Sequence, residues 1–391
     1  LKSSINIKPK IVIHCQYVYG IGHFVRTIEL AKGLSNYFSI FILNGGESVP
    51  NFDIPSEINL IQLPAIYKEE NVSYLSPVES IYSIEECFKK RSDIIENTLS
   101  NLKPEIIITE HFPFGLLFED EVVHLISSAK SLNSNVKVVC SVRDIIESSS
   151  GSIKDNITVQ HLNNCYDLLL IHGDEKYFHL KNTFSLYNEI SVPNYHTGYI
   201  VKSIELNTKS EHSKPILLAS IAGGRLGKEL LNALIKNHSA VNKQIIHKLI
   251  IFTGAFDSCF EELRDEIKKL SSNDIELFAF DRESYLSYFS QSDLVISLGG
   301  YNSIIESISN RKRLLVYQRE FAQGNEEQDL RINLFKEMGV LNVISSKDLN
   351  NSNLADSIIQ SLNNDIYRNV NLNVNGVAFS TELITKLNKG L

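Results

Sequence analysis

The stretch Asp293-Leu294-Val295-Ile296-Ser297-Leu298-Gly299-Gly300-Tyr301-Asn302-Ser303-Ile304-Ile305-Glu306 decides how this chain is read. It opens as a short, continuous apolar run rich in β-branched residues. Such a run suits a strand covered on both faces, as in a parallel sheet. Two glycines follow, and they let the backbone approach a ligand closely where a helix begins. The helix is expected over Ile304–Ser309. Glu306 then lies one turn inside it, placed to accept two hydrogen bonds from the vicinal hydroxyls of a ribose. The same letters, Ser303-x-x-Glu306, also form a capping box that needs no ligand. Spacing alone leaves the two readings even.

Working outward, similar runs recur along the whole chain. The first half has Ile11–Ile13, Ser39–Leu43, Asn59–Leu63, Ile106–Thr109, Val136–Val142 and Leu168–His172. The second has Ile216–Ser220, Lys248–Thr253, Ile275–Phe278, Leu294–Ser297, Leu314–Tyr317 and Leu341–Ile344. Helical patterns fill most of the gaps. Ser83 with Glu86 reads as a capping box opening a helix towards Leu102. Leu330, Leu334 and Met338 recur at i+4, and Gly339 ends that helix. Strand and helix alternating twice over imply two doubly wound, Rossmann-like parallel-sheet α/β domains. The expected division is 1–200, 201–372 and a last helix within 373–391 that packs back on the first domain. The long stretch Pro64–Ser83 carries Tyr67, Tyr74 and Tyr82, which either stack on a sugar or cover a sheet edge; covering is the simpler reading.

Length and composition bound the function. At 391 residues, 43% hydrophobic and 21% charged, the chain can bury two ordinary cores. A net charge of -8 gives no reason to expect general nucleic-acid binding, though local basic patches such as Lys89, Lys90 and Arg91 remain open. Cys15, Cys87, Cys140, Cys165 and Cys259 are far apart, which argues against zinc or redox pairs and for buried free thiols in a reducing cytosol. The polar start, Leu1 to Lys10, shows no signal-peptide pattern, and no apolar stretch approaches the ~20 residues needed to cross a bilayer. The expected place is the cytoplasm, with a peripheral contact at the inner face of the membrane left open. The apolar run Phe112–Phe118 could touch lipid or pack in the core.

Two further glycine-rich turns matter, because ligands of doubly wound sheets bind where strands end and helices begin. Gly20-Ile21-Gly22-His23 lacks the third glycine of a dinucleotide fingerprint, since position 25 is Val25, and Asn44-Gly45-Gly46 replaces the acid expected after the second strand. It either presents a histidine at a helix start beside a cleft or is a tight turn with an incidental histidine; the first reading is favoured. Ala222-Gly223-Gly224-Arg225-Leu226-Gly227-Lys228 imitates a P-loop, but Ala222 replaces its first glycine and Glu229 its magnesium-binding hydroxyl. It still suits an anion, through backbone amides and Arg225.

Together these residues resemble a family. Asp293 to Glu306, with Glu327-Gln328 opening the next helix, looks like the donor signature of GT-B glycosyltransferases, especially the group similar to the bacterial N-acetylglucosaminyltransferase that makes lipid II. Gly20-x-Gly22-His23-x-x-Arg26 is similar too. Glu110-His111-Phe112-Pro113-Phe114-Gly115, Ser141-Val142-Arg143-Asp144, His172-Gly173-Asp174 and Thr197-Gly198-Tyr199 resemble a bacterial branch of predicted UDP-sugar transferases. The resemblance implies a GT-B fold with a cleft between its domains, a UDP-sugar donor, no cofactor and no metal. It implies that Gly224, Arg225 and Gly300, Tyr301, Asn302 and Ser303 hold the diphosphate, that Glu306 holds the ribose, that backbone near Phe280 meets the uracil and that Glu327 and Gln328 bind sugar hydroxyls. The inserted Phe321-Ala322-Gln323-Gly324 leaves open whether Glu326 or Glu327 faces the sugar.

Transfer needs a group to stabilise the departing diphosphate and a base for the acceptor hydroxyl. His23 is the candidate base and Glu110 its orienting acid, as in a triad; His111, or Glu110 directly, are the alternatives. Gly22, His111 and Arg143 are assigned to the acceptor side or the cleft. Arg143 with Asp144 reads as a structural salt bridge, and His172 and Asp174 as structural residues. The expected reaction is inverting transfer of glucose or N-acetylglucosamine to a saccharide or lipid-linked acceptor in polysaccharide or glycolipid synthesis. A UDP-sugar hydrolase or epimerase of the same fold, and a non-catalytic binding protein, are the competing readings.

Overall fold

The apolar runs become two parallel sheets, in a computed structural model that describes residues 8–69, 72–146, 153–202, 213–221, 223, 226–256, 259–320, 326–349, 353–363 and 370–391. The first sheet uses β1 (Lys10–Cys15), β2 (Ser39–Asn44), β3 (Ile58–Gln62), β6 (Ile106–Glu110), β7 (Lys137–Arg143), β8 (Leu168–His172) and β9 (Asn194–His196), in the order β3-β2-β1-β6-β7-β8-β9. A ribbon of β4 (Ile66–Tyr67) and β5 (Ser76–Pro77) lies beside it. The second sheet uses β10 (Ile216–Ser220), β11 (Lys248–Phe252), β12 (Ile275–Phe278), β13 (Leu294–Ser297), β14 (Arg313–Tyr317) and β15 (Asn342–Ile344), in the order β12-β11-β10-β13-β14-β15. Helices α1 (Gly22–Ser35), α2 (Ile84–Leu102), α3 (Glu119–Leu132) and α4 (Ile153–Cys165) belong to the first domain. Helices α5 (Lys228–Asn242), α6 (Phe260–Leu270), α7 (Arg282–Gln291), α8 (Tyr301–Ser309), α9 (Glu326–Glu337) and α10 (Asn353–Asn363) belong to the second. The last helix, α11 (Gly376–Asn388), packs on α1: a Cβ on Gly33 would lie 2.3 Å from Val377.

Strand order places the site. Each sheet reverses its winding at one point, between β1 and β6 in the first and between β10 and β13 in the second. Crevices open at the carboxyl ends of the strands at such points. The turn after β1 carries Gly22 and His23, and β6 ends on Glu110. The turn after β10 carries Gly223, and β13 runs into Gly299 and Gly300.

Several expectations change in detail. The capping box at Ser83 forms, with Ser83 Oγ accepting from the Glu86 amide at 3.2 Å and Glu86 Oε2 accepting from the Ser83 amide at 2.8 Å. The one weighed at Ser303 does not, because α8 starts at Tyr301 with Gly300 as its N-cap. Ser303 is thus inside the first turn, its hydroxyl donating to the Gly300 carbonyl at 3.2 Å. In α9 the buried face is Glu327, Arg331, Ile332 and Phe335, whereas Leu330 is exposed. Two charged side chains share the inward face with Ile332 and Phe335, and Leu330 of the expected stripe does not. The Pro64–Ser83 stretch is anchored as the ribbon: the Ile66 amide donates to the Gly45 carbonyl at 3.2 Å. Strand β9, polar and three residues long, carried no strand signal.

Candidate functional site

The two crevices face each other across one cleft of about 1040 Å³. Gly22, His23, Glu110, His111 and Arg143 line it from the first domain. Phe280, Gly300, Tyr301, Asn302, Ser303, Glu306, Glu327 and Gln328 line it from the second. Gly224 and Arg225 lie outside the described residues, as does the insertion 321–325; of Glu326 and Glu327, it is Glu327 whose side chain is described, and it faces the cleft. Tyr67, Tyr74 and Tyr82 are not among the lining residues, and Tyr82 sits under the Lys90 ammonium. The Phe112–Phe118 turn forms part of the first domain's wall, with Leu117 exposed at 48%.

His23 sits on the first turn of α1, and its Nδ1 lies 3.0 Å from Glu110 Oε1. Arg143 Nη2 approaches Nε2 at 3.4 Å. An ionised carboxylate only accepts and a guanidinium only donates. The shorter contact to Glu110 and the approach of Arg143 fit one neutral tautomer, with hydrogen on Nδ1 and the lone pair on Nε2; the Arg26 Nη2 approach to Nδ1 at 3.4 Å is then a close contact of two donors, both turned to Glu110 Oε1. Burial, and then the Arg143 charge, lower the imidazole pKa below its ordinary value against the opposing pull of Glu110. Burial alone would raise the Glu110 pKa, but the Arg26 guanidinium and His23 outweigh it and hold the carboxyl well below the usual range. Arg26 ion-pairs with Glu110 Oε1, and Ser141 Oγ donates to Oε2 at 2.9 Å. With both oxygens engaged and so little basicity, Glu110 is unsuited to act directly as the base. The His111 ring is 5.3 Å from that of His23, centroid to centroid. Burial, then the His23 charge, push its pKa down to about 3, which makes it much the weaker base. Arg26 has no role in the sequence-based site, although it closes the motif Gly20-x-Gly22-His23-x-x-Arg26 and lies one turn after His23 on the same face of α1.

The second domain presents a helix start. Gly299 has φ +77°, and a Cβ there would lie 2.7 Å from Val316 Cγ1, so the turn requires glycine. Asn302 Nδ2 donates to the Gly22 carbonyl across the cleft at 3.4 Å. The Phe280 carbonyl accepts from Asn51 Nδ2 at 3.5 Å. Glu306 is buried and ion-paired with Arg282, a partner invisible in the sequence. The Tyr301 side chain is engaged within the protein. Its hydroxyl donates to the His172 carbonyl at 2.9 Å, and the guanidinia of Arg26 and Arg331 lie 5.3 and 5.2 Å from its ring centroid. Only its backbone amide is left to face a phosphate.

Arg143 and Asp144 do not form the expected salt bridge with each other. Each reaches across to α9: Arg143 Nη1 to Glu327 Oε1 at 2.8 Å, and Asp144 Oδ1 to Arg331 Nη2 at 2.6 Å. Arg331 also meets Glu327 at 2.9 Å. Burial favours neutral Glu327, but Arg143 and Arg331 reverse this and lower its pKa. The domains are thus tied by a buried, alternating charge network one residue from the candidate base.

This architecture, two Rossmann-like domains facing across a cleft, is the GT-B fold. Over 97% of its length the chain matches the crystal structure of Acinetobacter baumannii MurG, covering 100% of that chain, with a TM-score of 0.54 and 14% identity. It also matches a UDP-glucosyltransferase from Polygonum tinctorium capable of glucosylating indoxyl, with a TM-score of 0.58, 13% identity and coverage of 98% and 94% of the two chains. At such identities the likeness is one of fold. Residues 218–380 match the Glycosyltransferase family 28 C-terminal domain. By sequence the chain is similar to the UDP-N-acetylglucosamine–N-acetylmuramyl-(pentapeptide) pyrophosphoryl-undecaprenol N-acetylglucosamine transferase of Clostridium botulinum (strain Kyoto / Type A2), 28% identical over 186 residues. The alignment covers 45% of this chain and 48% of that relative, so the chain spans about half the length of the curated relatives it matches.

Proposed function

We propose that the protein is a UDP-sugar-dependent glycosyltransferase that moves a hexose, glucose or N-acetylglucosamine, to a hydroxyl of a saccharide or lipid-linked acceptor with inversion. The observation that carries this reading is the opposition of two features in one cleft: the His23 imidazole on one domain and the glycine-turned start of α8 on the other. The matches to the family 28 domain and to a transferase using UDP-N-acetylglucosamine support it.

In this reading the amides at Gly300–Ser303 and the positive end of α8 receive the diphosphate and stabilise the charge that grows on it. Glu306 holds the ribose while remaining paired with Arg282, and the uracil meets the backbone near Phe280. Glu327 and Gln328 bind sugar hydroxyls. His23 Nε2 takes the acceptor's proton as its oxygen attacks the anomeric carbon. The C–O bond to the diphosphate breaks, and UDP leaves with the electron pair. Glu110 stabilises the imidazolium that forms. Helix-start amides meet the leaving charge, so the reaction calls for no metal. The protein works in the cytoplasm, and the acceptor's lipid, where there is one, brings it to the inner face of the membrane.

The test is UDP release from a panel of UDP-sugars with and without saccharide and lipid-linked acceptors. Acceptor-dependent release supports transfer; equal release without acceptor identifies a hydrolase, and none with any donor overturns the reading. Because His23 must be neutral to act, kcat/KM should rise through its pKa and level off towards neutral pH, with the midpoint below the ordinary 6.5. A midpoint above that value would remove His23 as the base.

A further inference from the structure

We propose that Ser141 and His172 are positioning residues for the His23 base, through a one-way chain of hydrogen bonds ending on Glu110. The inference rests on the reading of His23 given above. The chain continues from Glu110 Oε2 to Ser141 Oγ at 2.9 Å, from Ser141 Oγ to His172 Nε2 at 2.9 Å, and from His172 Nδ1 to Thr197 Oγ1 at 2.9 Å. Ser141, His172 and Thr197 are buried at the carboxyl ends of β7, β8 and β9, with 0–2% exposure. Glu110 and Ser141 are register partners on adjacent strands.

The direction of the chain is forced. Glu110, ionised beside Arg26, can only accept, so the single hydroxyl hydrogen of Ser141 must point at Oε2. Ser141 must then accept from His172, which puts that ring's hydrogen on Nε2. The bare Nδ1 accepts from the Thr197 hydroxyl, for which the carbonyls of Gly198, at 3.1 Å, and Ile171, at 3.4 Å, compete. The opposite orientation would leave two lone pairs facing each other at 2.9 Å between Ser141 and Glu110. Burial and the Arg26 charge push the His172 pKa down to about 3, which keeps the ring neutral, as the chain requires.

The chain has a consequence for the base. With Oε2 pinned by Ser141, the carboxylate cannot turn, and Oε1 stays under His23 Nδ1. The Ser141 donor also shares the carboxylate's charge, which limits how far Glu110 raises the His23 pKa. The other groups bearing on these sites are Arg26 from α1, Cys15 from β1 and Cys140 from β7 around Glu110, and Arg143 and His111 around His23. The second domain touches the chain through Tyr301, whose hydroxyl donates to the His172 carbonyl. Packing alone would be met by apolar side chains at 141 and 172, without the desolvation that a buried polar chain costs.

The experiment is long-range ¹H–¹⁵N NMR of the full chain labelled with ¹⁵N-histidine, alongside kinetics, for the wild type and for Ser141→Ala, His172→Leu and His172→Gln. His172 should show hydrogen on Nε2 and no titration between about pH 5 and 8. Ser141→Ala and His172→Leu should raise the His23 pKa and lower kcat about tenfold with donor KM unchanged. His172→Gln, whose amide restores a donor near the Nε2 position, should recover most of the activity. A His172 hydrogen on Nδ1, or a His23 titration unmoved by Ser141→Ala, overturns the proposal. So does a Gln variant as impaired as the Leu variant. Should His172→Leu fail to fold, Ser141→Ala, which removes one buried oxygen, still decides it. If the wild type never releases UDP, the functional reading fails while the tautomer and titration still report on the chain. If transfer occurs and the Ser141→Ala titration and kcat stay at wild-type values, only the chain falls.

Discussion

Replacing His23 with alanine should lower kcat by about 10²–10⁴-fold, the range lost when a positioned general base is removed. UDP affinity should stay nearly constant, because the groups proposed to grip the nucleotide all belong to the second domain. The effect should appear in kcat rather than in donor KM, as expected for an interaction made chiefly in the transition state. The structure gives the reason. His23 Nδ1 is held at 3.0 Å from a buried carboxylate, which leaves Nε2 as the basic nitrogen, and burial and the Arg143 charge, both of which the substitution leaves in place, depress the basicity of the nearby His111. A variant that keeps its kcat and loses only UDP binding would place His23 among the donor contacts instead.

Replacing Arg331 with methionine should have the largest effect on stability. Arg331 is fully buried and neutralises Asp144 of the other domain at 2.6 Å and Glu327 at 2.9 Å. Glu327 keeps Arg143, but Asp144, 1% exposed, loses its counter-charge. Breaking a buried pair from one side costs about 3–5 kcal/mol, because a charge is left uncompensated. Calorimetry should show a lower main transition, and the domains should unfold less cooperatively, since this network and the Tyr301 hydroxyl bond tie them together. Adding Asp144→Leu to Arg331→Met should recover part of the loss, because it removes the stranded charge. A loss below about 1 kcal/mol, the scale of exposed pairs, would show the network to be solvated and the domains separate in solution.

The contrast between Glu306 and Gly299 shows what a sequence can carry. The apolar runs were legible because a strand covered on both faces needs a continuous apolar stretch. The glycine turns were legible because a left-handed φ at a strand end, such as that of Gly299, favours this residue. Those two signals sufficed for two parallel sheets and for the turns that flank the cleft. Partner choice was not legible. Glu306 pairs with Arg282, 24 positions away, and Arg331 with Asp144, 187 positions away, and no periodicity encodes such a match. The α9 pattern misled because Leu330, Leu334 and Met338 look like a core stripe, while the helix turns Glu327 and Arg331 inward to meet the other domain. His172 looked structural because its partners, Ser141 and Thr197, come from neighbouring strands rather than from nearby sequence.

A crystal structure of the UDP complex would show whether both domains converge on one sugar nucleotide. The diphosphate should lie against the amides that open α8 at Gly300–Ser303, the ribose at Glu306, and His23 across from the vacant sugar position. Density for UDP outside this cleft, or a diphosphate bound with no contact to the start of α8, would contradict that convergence.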